Sequence, residues 1–299
     1  MPARICVILN PSAKGGRAER FRKEMIEFQD ECVFKLTTHA GAGAAMAAQA
    51  VREGFETIVA AGGDGTVNEV LNGIAGEPDG LARARLAVLP VGTVNVFARE
   101  LKLPLKIRRA WETIRAGAQR SIDLPWIEFR KDGQMQRRYF AQLAGAGFDA
   151  RAIALVSWDL KKRIGPLAYG VAALQALRTQ PRPLLVRRHT ERLPGDFVII
   201  GNGRLYAGSI PICPRANNAD GLLDVCLFQR TTLGSLARHI CACLAPRLRN
   251  WSPTTQFQAS TVEVEGDADT PLEVDGEWAG RIPARCQVEA GRLRVVVPG

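Results

Sequence analysis

A chain of 299 residues is long for one core and short for three, so two domains are expected, each able to bury most of its apolar surface. With 46% hydrophobic and 23% charged residues and scattered Gly and Pro, the composition excludes a disordered or fibrous protein. Lys and Arg outnumber Asp and Glu by 40 to 30, and the net +10 suits nucleic acid, anionic lipid, phosphorylated substrates or simply a solvated basic surface.

In chain order, residues 4–9 read as a buried strand followed by Asn10-Pro11-Ser12, a Lys14-Gly15-Gly16 turn and a polar helix over 17–29. A second strand is expected at 33–37, an Ala-rich helix at 44–53, and a third strand at 57–61 that runs into Gly62-Gly63-Asp64-Gly65. A helix over 67–74, a strand at 86–89 ending in Pro90-Val91-Gly92-Thr93-Val94-Asn95, and a helix over 105–117 complete the alternation. Short apolar strands alternating with helices predict a Rossmann-like, three-layer α/β domain, whose parallel sheet binds ligands at the carboxyl ends of its strands.

From Ser121 onward strand-like runs dominate, at 122–129, 138–144, 184–188, 196–201, 222–228, 261–265, 271–274 and 293–297, with turn residues between most of them. This half reads as a β-sandwich interrupted by helices over 150–177 and 233–248. The boundary falls near Leu124, dividing the chain into 1–124 and 125–299.

Several function classes drop out. Seven cysteines with no C-x-x-C pair suit neither a disulfide framework nor a zinc site, and a reducing cytoplasm is the simplest home. The amino-terminal apolar run is too short for a signal peptide, and no run approaches the ~20 apolar residues of a membrane span. Neither zinc-finger spacing nor an RNP-like aromatic run occurs, so no nucleic-acid partner is expected. There is no G-x-x-x-x-G-K-[ST] loop. Gly145-x-Gly147-x-x-Ala150 lacks the acidic residue about twenty positions on that a dinucleotide site needs. His39, His189 and His239 lie far apart, without metal-ligand spacing.

The strongest signal is Gly62-Gly63-Asp64-Gly65-Thr66-Val67-Asn68-Glu69, between an expected strand and an expected helix. Glycines allow a tight turn that brings backbone N–H groups to phosphate oxygens, and the helix offers its positive end to the same anion. An aspartate there would repel phosphate unless a divalent cation intervened, so Asp64 is a candidate for organising Mg²⁺. The structural alternative is that Asp64 and Asn68 cap a turn and a helix. Asn10 to Gly16 and Gly92 to Asn95 should lie along the same sheet edge, where each alone is ordinary turn punctuation.

With these residues the sequence resembles the diacylglycerol kinase catalytic family, which includes bacterial lipid kinases and sphingosine and ceramide kinases. Asn10-Pro11, the run from Gly62 to Glu69, and Gly92-Thr93-Val94-Asn95 match its nucleotide-site motifs. Gly145-Ala146-Gly147-Phe148-Asp149, the run from Asn217 to Asp224, and Val274-Asp275-Gly276-Glu277 match its second half. The resemblance implies an ATP- and Mg²⁺-dependent lipid kinase with its site in the cleft between a nucleotide-binding domain and a lipid-substrate domain. Asn10, Thr38, Gly62, Gly63, Asp64, Gly65, Thr66, Val67, Asn68 and Thr93 would touch ATP. Asp64, Asp275 and Glu277 would be the catalytic carboxylates, with Asp275 the general base; seen bare, Asp275-Gly276 is also a good type I′ hairpin turn. Asn217, Asp220 and Leu222 would hold a second, structural Mg²⁺. A lipid acceptor and peripheral contact with an anionic membrane are the implied partners. For that contact, Trp158 with Lys161-Lys162-Arg163 ahead of the apolar run 164–177, and the helix over 233–248 with Arg238, Arg247 and Arg249, offer basic heads beside apolar faces. Either is equally a core helix with a basic cap. The competing classes are a soluble-metabolite kinase related to NAD kinase and a non-catalytic nucleotide or lipid sensor.

Overall fold

The computed structural model describes residues 4–11, 28, 30–148, 150–151, 182–188, 190–245 and 254–299. Most of the expected helices at 17–29 and 150–177, the Ser12 to Gly16 loop, Asp149, the Trp158 and Lys161 to Arg163 cluster, His189, Arg247 and Arg249 lie outside the described residues. Internal contacts divide the chain into two compact units. The first comprises Met1–Leu124, Ala207–Ser209 and Glu289–Gly299; the second comprises Pro125–Tyr206 and Ile210–Val288.

The first unit is a parallel α/β assembly. Its elements are β1 (Ile5–Leu9), β2 (Val33–Leu36), α1 (Ala42–Arg52), β3 (Thr57–Gly62), α2 (Asp64–Ala75), α3 (Gly80–Arg83), β4 (Arg85–Pro90), α4 (Val96–Glu100) and α5 (Ile107–Ala116). The strand order is β4-β3-β1-β2, and all three pairings are parallel. Every residue of β3 is buried, as expected of a strand covered on both faces, and the apolar run Thr57 to Ala61 reflects this. The Ala-rich composition of α1 follows from its neighbour. A Cβ on Gly73 of α2 would stand 2.2 Å from the Ala44 carbonyl and 2.7 Å from Ala47 Cβ, so the two helices approach at a seam that only small residues allow.

The helix after the glycine turn starts at Asp64, three residues earlier than the 67–74 expected from apolar periodicity. Gly63 is the extended N-cap, and an acidic first-turn residue suits the helix dipole. The carboxyl-terminal segment 289–299, which a linear boundary at Leu124 leaves in the second half, packs within the first unit. Val295 pairs in parallel with Leu86 of β4 there.

The second unit is β-rich. Its chain begins within β5 (Gln119–Lys131) and continues through β6 (Gln134–Tyr139), β7 (Leu143–Gly147), β8 (Leu184–Arg188), β9 (Glu191–Gly195), β10 (Phe197–Gly201) and β11 (Leu223–Phe228). α6 (Leu233–Leu244), β12 (Thr254–Ala259), β13 (Thr261–Gly266), β14 (Pro271–Val274) and β15 (Glu277–Val296) complete it. The path β12-β11-β10-β7-β14 is antiparallel throughout. Inward residues of these strands and of β5, β8, β13 and β15, together with Phe140 between β6 and β7, form one core that includes Phe129, Val186, Ile200, Leu227, Val264, Leu272 and Ile282. The single strand expected over 138–144 is two strands, β6 and β7. Phe140 is fully buried, and the N–H groups of Ala141 and Gln142 turn out of the ladder toward the side chain of Asp275. α6 starts at a capping box, with Thr232 Oγ1 accepting from Ser235 N–H at 3.0 Å and Ser235 Oγ accepting from Thr232 N–H at 2.8 Å. It ends at Leu244, before the Ala245-Pro246 step that cannot continue a helix.

Candidate functional site

In the first unit the carboxyl ends of β1, β3 and β4 bring Asn10 together with the two predicted glycine turns. Asn10 N–H bonds to the Ala61 carbonyl at 3.1 Å, and Asn10 Nδ2 donates to Thr66 Oγ1 at 3.2 Å, tying the end of β1 to the first turn of α2. The N–H groups of Val91 and Gly92 both bond to the Gly62 carbonyl at 3.1 Å, joining the ends of β3 and β4. Gly62 has no room for a side chain, since a Cβ would lie 2.2 Å from Thr66 Oγ1. A Cβ on Gly92 would lie 2.5 Å from Gly63 Cα and 2.7 Å from Asn95 Oδ1. The backbones of the two turns are therefore as close as glycine permits. Val67 N–H reaches the Gly63 carbonyl at 3.1 Å as α2 enters its regular ladder. The amides of Gly65 and Thr66 precede that bond, in the turn where a helix has no internal acceptors. This is chemistry suited to a phosphate.

Asp64 and Glu69 bind backbone of distant segments. Asp64 Oδ1 accepts the Phe97 N–H at 3.1 Å, at the start of α4. Burial pushes the Asp64 carboxyl above the usual carboxylate range, while the N–H groups of Phe97, Val96, Asp64 itself and Asn95 pull it back. Asp64 thus caps a helix, and that helix is α4. Asn95, left-handed at φ 52, turns its amide onto the Gly92 carbonyl at 2.8 Å and completes that loop. Glu69 Oε1 accepts Gly41 N–H at 2.8 Å and Oε2 accepts Gly43 N–H at 2.9 Å. It supplies the amino-terminal cap of α1 that Gly41 lacks a side chain to give. The Thr38 to Gly41 loop is thereby anchored to α2. Thr38 itself is exposed, with its hydroxyl 3.0 Å from His39 Nδ1, and Thr93 is exposed at the tip of its loop. Val67 and Asn68 are buried at 2% and 1% exposure, so a ligand at this turn would meet their backbone rather than their side chains.

In the second unit, Val274 pairs with Glu277, leaving Asp275 and Gly276 as a two-residue turn with φ 49 and 81. Left-handed φ at both positions is the type I′ geometry that Asp-Gly favours. The Asp275 carboxylate accepts three consecutive backbone N–H groups, Ala141 at 2.9 Å on Oδ2, and Gln142 at 2.9 Å and Leu143 at 3.1 Å on Oδ1. Its own N–H returns a bond to the Leu143 carbonyl at 2.8 Å. Glu273, fully buried, accepts Gly276 N–H at 2.8 Å. Glu277 is exposed and pairs with Arg138 at 2.9 Å.

The segment after Asn217 forms a tight loop in which Asp220 Oδ1 accepts Leu222 N–H at 3.0 Å and Gly221 is left-handed. Gln258 Nε2 donates to Asp224 Oδ2 at 3.1 Å and stands 3.4 Å from Asp220 Oδ2, so two carboxylates share one amide. Burial, and to a lesser degree the Asp220 charge, push the Asp224 carboxyl up, with Gln258 and Arg215 opposing. Carboxylate and carbonyl oxygens of this kind fit a hard cation such as Mg²⁺. Among the described residues no three His, Cys, Asp or Glu side chains form a group able to hold a metal, so backbone carbonyls would have to contribute.

What the sequence reading missed are mainly the targets of Asp64, Glu69 and Asp275, which are backbone N–H groups.

Residues 4–127 match the diacylglycerol kinase catalytic domain, and residues 142–297 match the YegS C-terminal NAD kinase beta sandwich-like domain. A diacylglycerol kinase of Staphylococcus carnosus is 29% identical over 95% of this chain and 92% of its own length. One from Staphylococcus aureus MRSA252 is 28% identical over 95% of this chain and 89% of its own. Among solved structures, a diacylglycerol kinase from Bacillus anthracis superposes with a TM-score of 0.73 at 20% identity, covering 99% of this chain and 97% of that one. A yeast NADH kinase complexed with NADH shares the fold at a TM-score of 0.55 and 10% identity, over 100% of this chain and 84% of that one. Among the described residues no helix is long and apolar enough to cross a membrane.

Proposed function

The chain belongs to the diacylglycerol kinase family, joining that family's catalytic domain to a YegS-type C-terminal domain, and on that premise we propose that it transfers the γ-phosphate of ATP to a hydroxyl of diacylglycerol or a related lipid. The observation that carries this reading is Asp275, a carboxylate on a left-handed turn fixed by three consecutive backbone N–H groups. Rigid placement is what a group needs in order to meet one proton of one acceptor.

In this scheme the turns at Gly62-Gly63 and Gly92 let main chain close on the phosphates, and the first-turn amides of α2 donate to them. Asn10 and Thr66, already bonded to each other, line the same loop. Thr38 and Thr93 approach the nucleotide from the two flanking loops. Asp64 would hold a Mg²⁺ on the nucleotide side, which would neutralise charge on the phosphate oxygens. Asp220, with carbonyls of Asn217 and Leu222, would hold the second ion. Asp275 accepts the proton of the acceptor hydroxyl. An aspartyl carboxylate is too weak a base to form an alkoxide beforehand, so this proton moves late, as the new oxygen–phosphorus bond forms and the bond from the γ-phosphorus to the departing ADP breaks. The Arg138–Glu277 pair flanks the turn and sets the charge beside it.

The test is a labelled-ATP screen of the full chain with Mg²⁺ against dispersed lipid extract, a short-chain diacylglycerol and NAD, with product identification by mass. Label in a lipid product is the expected result. Faster phosphorylation of NAD than of any lipid would move the chain to the soluble-metabolite class that its NADH kinase-like fold also accommodates.

A further inference from the structure

The backbone that holds Asp275 is itself held from its other side. Asn202, 1% exposed, donates from Nδ2 to the Ala141 carbonyl at 3.0 Å, and its N–H bonds to the Gln142 carbonyl at 2.9 Å. Gly203 N–H adds a second bond to the Gln142 carbonyl at 3.2 Å, while Gln142 Nε2 donates to the Leu205 carbonyl at 3.0 Å. A Cβ on Gly203 would stand 2.4 Å from Gln142 Nε2, so the two segments are in direct contact.

These bonds fall on two peptide planes. The first runs from the Ala141 carbonyl, bound by Asn202 Nδ2, to Gln142 N–H, which donates to Asp275 Oδ1. The second runs from the Gln142 carbonyl, bound by the N–H groups of Asn202 and Gly203, to Leu143 N–H, which also donates to Asp275 Oδ1. A peptide unit is planar and rigid, so fixing its carbonyl direction fixes its N–H direction. Each plane therefore works as a short lever with Asn202 at one end and the carboxylate at the other.

We propose that Asn202 is a positioning residue for Asp275, aiming the carboxylate at the acceptor hydroxyl through these two peptide planes. The proposal rests on the reading of Asp275 as the base. Asn202 reaches the Asp275 carboxylate through the backbone of residues 141–143. Its side-chain amide matters because it holds the carbonyl of the first plane, whereas the second plane keeps its two backbone donors in any variant.

The experiment is a double-mutant cycle on the full chain, using ATP, Mg²⁺ and a short-chain diacylglycerol. N202D is nearly isosteric but turns an oxygen toward the Ala141 carbonyl; N202S is a smaller change and serves if N202D folds poorly. With folding checked by thermal midpoint and active molecules counted by titration, either variant should lower kcat by about tenfold or more, because a misplacement of about 1 Å can cost a hundredfold. KM for ATP should stay within about twofold, since ATP binding is not routed through Asp275. In the D275N background the same substitutions should change kcat by less than about twofold, because the lever then has nothing to aim.

Equal losses in the parent and D275N backgrounds would mean that Asn202 only supports the fold, and unchanged kcat in folded N202D and N202S would mean that it aims nothing. Either result overturns the positioning role while leaving the base in place. Full kcat in D275N alone would instead remove the base, and the positioning role with it.

Discussion

In the first unit the loop geometry is set by what is missing. Gly62, Gly63 and Gly92 carry no side chain, and two backbone turns close to distances at which a Cβ on Gly92 would stand 2.5 Å from its neighbour. In the second unit the geometry at Asp275 is set by what is added, three N–H bonds to one carboxylate and a further layer of polar bonds behind them. Under the proposed function the contrast follows from the task. A phosphate is a large anion that many N–H groups can share, so the protein needs room and exposed backbone. A proton acceptor must point in one direction, so the protein needs constraint, and hydrogen bonds to a charged group contribute about 1.5–3 kcal/mol each toward it.

If space is what matters in the first unit, alanine should discriminate sharply between its glycines, and this is the largest effect expected. Gly92→Ala drives a methyl into the Gly63 backbone and should cost about 1–3 kcal/mol of stability, together with most of the nucleotide affinity. Gly63→Ala, whose Cβ would meet Gly92 Cα at an ordinary 3.5 Å, should be close to neutral for stability. Urea unfolding and the binding of a fluorescent ATP analogue read both quantities. Equal tolerance of the two substitutions would show that the close approach of the turns is incidental.

A smaller effect tests the exception, because Glu69 is a side chain of the first unit that works by added bonds, as Asp275 does in the second. Glu69→Ala removes the acceptors of Gly41 and Gly43 N–H, and losing such a helix cap costs about 1 kcal/mol. Faster hydrogen exchange at the Gly41 and Gly43 amides should accompany the loss. Unchanged exchange would mean that Gly41 and Gly43 are satisfied without Glu69, and that the Thr38 loop is anchored by something else.

The sequence makes some of this legible and hides the rest for identifiable reasons. Strands at 184–188 and 271–274 appear as expected, because apolar runs bounded by turn residues leave no alternative period. β9 and β12 are invisible beforehand, since Glu191 to Gly195 contains Pro194 and Thr254 to Ala259 is largely polar. Of the long β15 only the tail at 293–297 stands out, where Val295 and Val296 are consecutive and buried; upstream the strand alternates polar and apolar residues. The chemistry-bearing residue types at Asp64, Glu69 and Asp275 can be picked out from motif context. Their partners cannot, because an N–H group 134 positions away, as for Asp275 and Ala141, leaves no mark in composition or spacing. The split of 138–144 into two strands has the same origin. It is caused by a side chain that the local sequence does not contain.

The smallest expected effect lies in the second unit, at a buried imidazole. His239 of α6 is 1% exposed, with its ring edge-on to Phe228 at 4.9 Å and Nε2 at 3.3 Å from the Ile212 carbonyl. Burial pushes its pKa below the ordinary imidazole value, and the Ile212 carbonyl opposes this only in part. The unfolded chain therefore takes up a proton at this position as the pH falls through about 6.5, before the folded chain does. The stability contributed by keeping His239 neutral is fully present above that pH and is lost as the pH drops toward and through the lower folded value. His239→Gln, which keeps a polar group of similar reach but cannot titrate, should flatten that loss. The fall in Tm between about pH 7.5 and about pH 5.5 should be smaller in the variant than in the parent. Parallel Tm curves for the two proteins would mean that the imidazole is charged or water-accessible in the folded state. In that case α6 does not seal the second unit at Phe228, and the constraint that distinguishes this unit would be confined to the neighbourhood of Asp275.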